Sequence, residues 1–152
     1  MRKAHQILAG ILAAEVVIQA MAIAFALAGL GHWIDKDGGE LNKAVIDSWD
    51  DNPPDWTGAI GFPIHGMNGM MLIPLIAIVF LVVSLLANKT VPGAAQRGGI
   101  LFFMVVLQVV LGLSLHDVVA IAPLHALNGF GIFAMAVVTA RKAGEAAPAA
   151  AV

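Results

Sequence analysis

Two histidines in this chain stand in matching company. "FPIHGMNGM" (Phe62–Met70) and "APLHALNGF" (Ala122–Phe130) share the pattern P-[IL]-H-[GA]-[ML]-N-G, which puts His65 and His125 in the same place. A neutral imidazole carries one lone pair, and two imidazoles on one iron are a familiar haem ligation. Small residues follow each histidine at once, Gly66 and Ala126, and Gly69 and Gly129 come four positions later. At helical spacing this clears a strip beside the ring where a flat macrocycle can lie. Asn68 and Asn128 are placed to orient neighbouring groups or to tie helices together. A second reading of the same residues is a packing interface, with polar side chains bonding across helices and glycines allowing close approach. A mononuclear zinc or copper site fits less well. Two imidazoles leave that coordination shell incomplete, and the chain has no cysteine.

The elements that must position these residues belong to a bilayer. Of 152 residues 60% are hydrophobic and 12% charged, and the mean hydropathy is +0.89. That composition marks an integral membrane protein. The formal net charge of −2, with no basic patch, argues against a nucleic-acid partner. Without cysteine there is no disulfide framework and no covalent c-type haem attachment. Four stretches can cross roughly 30 Å of hydrocarbon: His5 to Gly31, Pro63 to Ala87, Gly98 to Leu115 and Pro123 to Ala140. They predict a single all-α transmembrane domain, a four-helix bundle with an outer loop over 32–60 and a tail over 143–152. The last two spans are short and are expected to stand nearly upright.

Arg2 and Lys3, Lys89 and Arg97, and Arg141 and Lys142 fall on one side of these spans, which the positive-inside rule makes cytoplasmic. Both termini are then inside, and the acidic loop is outside. The opening "MRK" and the "ALA" at Ala26–Ala28 resemble a signal peptide and its cleavage site. The apolar run is longer than a signal core, so the first span is expected to be retained.

The histidine motif is part of a larger duplication. "ILAAEVVIQA" (Ile11–Ala20) aligns with "ILFFMVVLQV" (Ile100–Val109), so Gln19 corresponds to Gln108 and Glu15 to Met104. Two tandem helical hairpins entering from the same side are parallel repeats, which pack about a pseudo-twofold axis along the membrane normal. His65 is then expected to face His125 near the outer interface, holding one b-type haem. Pro63 and Pro123 suit the first helical turn. The positive helix N-termini, with Lys36 and Lys43, suit haem propionates.

"LQVVLGLSLHDVVAIAPLHALNGFGIFAMAV" (Leu107–Val137) resembles a helical hairpin of the heme A synthase family, with an L-Q-x-x-L-G opening, an outer turn and a histidine early in the next helix. That family is built from two four-helix halves, and the whole chain here corresponds to one half. Histidines early in the second and fourth helices of a half ligate haem there, so the resemblance implies that His65 and His125 are axial ligands. The family also carries a glutamate shortly before the second-helix histidine; Gly61 and Phe62 stand in that neighbourhood, and Gly66 follows the histidine. The carry-over therefore reaches the two histidines alone. The chain also resembles a group of small four-helix membrane proteins from actinobacteria, which implies a bacterial plasma membrane.

Glu15 lies near mid-membrane, one turn before Gln19. It is a candidate for proton handling or, as a protonated acid, for a hydrogen bond to Gln19 or Gln108. His32 and His116 end the first and third spans and are candidates for a second outer site or for plain interfacial positions. His5, the one histidine on the inner side, is expected at the interface. With one bis-histidine site on one side, electron exchange with an outer partner, a quinol or a respiratory-chain membrane complex fits better than a wire across the bilayer. In "ELNKAVIDSWDD" (Glu40–Asp51), Leu41, Val45 and Trp49 predict a short amphipathic helix that caps the pocket or anchors at the interface. The tail "GEAAPAAAV" is of low complexity and expected to be mobile. These features predict a membrane b-type cytochrome for electron transfer or haem handling. The alternatives are a non-catalytic accessory subunit of a larger complex and an oxidoreductase related to heme A synthase.

Overall fold

In hydrocarbon a spanning segment must satisfy its own backbone N–H and C=O groups, and the apolar stretches do so as helices. The computed structural model describes residues 1–115 and 117–145, and among them there is no strand. The elements are α1 (Arg2–Lys36), α2 (Lys43–Ser48), α3 (Gly61–Met67), a π-helical turn (Asn68–Leu72), α4 (Ile73–Ala87), α5 (Ala94–Ser114), a 3₁₀ turn (Val119–Ile121) and α6 (Ala122–Glu145). Four stretches are long and apolar enough to cross a membrane: Arg2–Lys36, Gly61–Ala87, Ala94–Ser114 and Val119–Glu145. The third begins four residues before its expected start, at Ala94, and the fourth runs on through Arg141 and Lys142 to Glu145.

The chain divides into two compact units, one of Met1–Val17 with the described residues from Gly69 onward, the other of Ile18–Asn68. In the first unit four helices share one core. Ala9, Leu12 and Ala13 of α1 meet Ala77 and Phe80 of α4, Leu101 and Val105 of α5, and Ile132 and Ala136 of α6. Lipid tails are as apolar as leucine, so close packing rather than exclusion from water holds such helices together, and small residues permit it. Gly98 of α5 shows the closeness: a side chain there would collide with Ser84 of α4.

In this unit His5, expected at the interface, is packed into the helix core. Helix α1 already begins at Arg2, so His5 lies a full turn before Ala9 on the core-facing stripe. It is 0% exposed, with its ring 5.0 Å from that of Phe80.

In the second unit the chain before α3 lies directly on α1. Gly29 abuts the Thr57 carbonyl, Gly58 (φ +101°) the Phe25 carbonyl, and Gly61 the Ala22 carbonyl. Trp56 is buried, stacked on Trp33 at 6.2 Å and meeting Trp49 and Phe62 edge-on at 6.4 and 6.1 Å. The stripe expected across α2 is shorter than its spacing suggests. Asn42 caps the helix by accepting from the Val45 N–H at 3.1 Å, which leaves Leu41 before the first turn and 40% exposed. Trp49, at the other end, packs into the aromatic cluster.

The π turn breaks the likeness of the two repeat copies. Pro74 has no N–H to give the Met70 carbonyl, and its ring crowds that carbonyl. Widening the preceding turn relieves both problems. In the other copy Ala134 takes the place of Pro74, and α6 runs as regular α-helix throughout.

Candidate functional site

Helix α6 begins at Ala122, which puts Pro123 in its first turn and His125 and Asn128 three residues apart on one face. On α5 the matching face carries Met104, Gln108 and Gly112 at four-residue intervals. Asn128 Nδ2 lies 2.9 Å from the Met104 carbonyl oxygen and 2.7 Å from Gln108 Oε1. A backbone carbonyl only accepts, so the amide nitrogen of Asn128 must be the atom facing it. The same nitrogen donates to Gln108, which turns the Gln108 amide nitrogen toward His125. Gln108 Nε2 lies 3.1 Å from His125 Nε2 and donates to it. His125 is therefore neutral, with its proton on Nδ1 and its lone pair on Nε2.

His65, half-buried on α3, is anchored by a shorter route. Its Nδ1 lies 3.1 Å from the Gln19 carbonyl oxygen, to which it donates. Each contact lies within one unit, and each joins a motif histidine to the glutamine that the repeat alignment pairs with it. The means differ: backbone carbonyl for His65, side-chain amide for His125.

The glycines beside the rings divide into two kinds. A side chain at Gly66 would meet nothing within 4 Å, whereas one at Gly129 would lie 3.4 Å from Gln108 Nε2. Ala126 is exposed and Gly69 falls within the π turn. Asn68 closes α3 with its backbone N–H on the Ile64 and His65 carbonyls. Gly112, the last residue of the L-Q-x-x-L-G opening, lies under the His125 ring, and a methyl there would come within 3.2 Å of Cε1. It was not among the candidate site residues, although the motif itself was the available signal.

The remaining candidates are dispersed. Glu15 is half-buried on α1. His32 and Asp37 approach to 3.9 Å with both side chains mostly exposed. His116 lies outside the described residues, as does the tail from 146 onward. Lys36 and Lys43 are each ion-paired at 2.7 Å, with Asp35 and Asp47. Such exposed pairs are weak, so neither lysine is committed to its partner. Among the described residues no three His, Asp or Glu side chains assemble to hold a metal ion.

A b-type haem asks less: an imidazole lone pair for the iron and flat space beside it. His65 has its Nδ1–H anchored on a carbonyl, as metal-binding histidines commonly have, and Gly66 beside it faces open space. His125 has its Nε2 on the Gln108 amide, which must release it before an iron could take it. No protein-family model, curated protein or solved structure matches the chain.

Proposed function

We propose that the protein is a membrane b-type cytochrome that holds one haem by His65 and His125 and serves electron transfer or haem handling. The observation that carries this reading is a shared anchoring: each motif histidine is bonded to the glutamine that the repeat pairs with it, His65 through Nδ1 to the Gln19 carbonyl and His125 through Nε2 to the Gln108 amide. The haem would supply a one-electron iron centre. The chain's own residues orient the rings, with the Gln19 carbonyl holding His65 and the Asn128–Gln108 pair setting the tautomer of His125. By the positive-inside rule, Arg2, Lys3, Lys89, Arg97, Arg141 and Lys142 lie inside. The two hairpins then place their histidines toward the outer face of a bacterial plasma membrane, within reach of a quinol or a respiratory complex.

A heme A synthase activity has less support in the residues, because Gly61 and Phe62 stand in the neighbourhood where that family carries its glutamate.

A specific observation also favours a second reading, an accessory subunit without cofactor. His125, Gln108 and Asn128 already bond one another, which is what polar residues do when they tie membrane helices together. The reduced-minus-oxidised spectrum of the protein purified from its native membrane separates the two. The cytochrome reading expects a sharp α band of six-coordinate haem, lost in H65A and in H125A but retained in H32A, whose imidazole is exposed. A preparation without haem, even when haem is supplied during expression, supports the accessory subunit.

A further inference from the structure

Among the described residues, three polar side chains are completely buried in the unit built from α1, α4, α5 and α6: His5, Ser84 and Thr139, each 0% exposed. They share one level. On α4, Ser84 falls between Phe80 and Ala87; on α6, Thr139 falls between Ala136 and Ala143. On α5, Gly98, against which Ser84 packs, falls between Ala94 and Leu101. Phe80, Leu101 and Ala136 belong to the large apolar cluster on one side, and Ala87, Ala94 and Ala143 to a smaller one on the other. His5 joins this level through its ring contact with Phe80.

Ser84 is satisfied locally, donating to the Phe80 carbonyl at 2.6 Å. Neither ring nitrogen of His5 has a hydrogen-bond partner among the described residues, nor has Thr139 Oγ1, nor Arg97 Nε beside Gly98. A buried polar group left without a partner is costly, and hydrocarbon offers no substitute. A neutral imidazole needs both a donor and an acceptor, a hydroxyl can serve as either, and a guanidinium N–H only donates. Water, which gives and takes two bonds, is the one small partner that meets all of these demands. Buried waters commonly bridge such groups with about three hydrogen bonds.

We infer that this level is an internal hydration site, with ordered water held by His5 and Thr139 and with the Arg97 Nε–H at its margin. It lies toward the ends of α1 and α6 that carry Arg2, Lys3, Arg141 and Lys142. The apolar cluster through Ala77, Val105 and Ile132 separates it from the Gln108–His125–Asn128 network. The water is thus a site apart, and it stands whether or not the protein binds haem.

Solid-state NMR of the full chain in lipid bilayers, with labelled histidine, tests the site directly. The His5 ring is assigned through its sequential correlations to Ala4 and Gln6, which does not depend on a His5 variant folding. The expected result is a cross-peak between the His5 imidazole and water that falls in T139V, where the ring remains but its partner hydroxyl is gone. A wild-type His5 ring with no contact to water overturns the inference. So does a water cross-peak of unchanged intensity in T139V.

Discussion

Gln108 Nε2 lies 3.1 Å from His125 Nε2, and the direction of that bond is set two residues away, at the Met104 carbonyl. Met104 fixes Asn128, Asn128 fixes Gln108, and Gln108 fixes the imidazole. Gln108→Glu breaks the chain at one point: a carboxylate still accepts from Asn128 but has nothing to donate. His125 Nε2 should then acquire a proton, seen as a change of its nitrogen resonance from the acceptor to the protonated type. An Nε2 that stays unprotonated in Q108E would mean that the ring is set by something other than this network.

Gly112 supports the same ring from below. A methyl at this position meets His125 Cε1 at 3.2 Å, a contact that a few tenths of an ångström of ring movement relieves. G112A should therefore fold with a loss below about 1 kcal/mol, whereas G112L overpacks the site and should lose about 1–3 kcal/mol. Thermal unfolding in detergent measures both. If haem is bound, G112L should also shift its α band. Equal stability of the two variants would show that the ring is not seated on Gly112.

Two glycines flanking His65 should respond in opposite directions. At Gly61 a methyl strikes the Ala22 carbonyl and Ala26, which are parts of α1 itself and cannot swing aside. G61A should destabilise by about 1–3 kcal/mol. Gly66 faces open space within α3, so G66A gains helix propensity and should be neutral or stabilising by up to about 1 kcal/mol. A bulkier G66V should lower haem content while the apoprotein remains folded, because only a bound macrocycle would contest that space. Normal haem loading in G66V would count against the strip beside His65 as its seat.

Much of this was legible in one dimension, and the reason is physical. Four runs of apolar residues leave the backbone little choice but helix, and a polar motif repeated inside them stands out against that background. The Gln19–Gln108 correspondence came from the same repeat, and both glutamines do meet the motif histidines. What the sequence hid was rotation about the helix axes. His5 is close to the chain start and flanked by basic residues, so position alone suggests an interface; only the phase of α1 turns it onto Phe80. Trp33, Trp49 and Trp56 read equally well as three interfacial anchors, and their mutual stacking depends on how residues 57–61 settle on α1. The π turn was hidden as well, because Pro74 marks a disturbed helix without saying which kind.

Pro74 supplies the last test. If its missing N–H and its ring are what widen the turn at Asn68–Leu72, then P74A restores a donor for the Met70 carbonyl and removes the clash. The segment should revert to regular α-helix, as in the copy where Ala134 stands. A π turn holds one residue more than an α turn, so its loss changes the phase of Ile73, Ala77 and Phe80 along the helix by roughly 100°. Those residues form the α4 face of the core, and they cannot turn away without unpacking it. P74A should therefore lower the stability of that core. Backbone chemical shifts across 68–74 report the helix type, and thermal unfolding in detergent reports the core. A π turn that persists in P74A with stability unchanged would show that core packing, not proline, holds the bulge open.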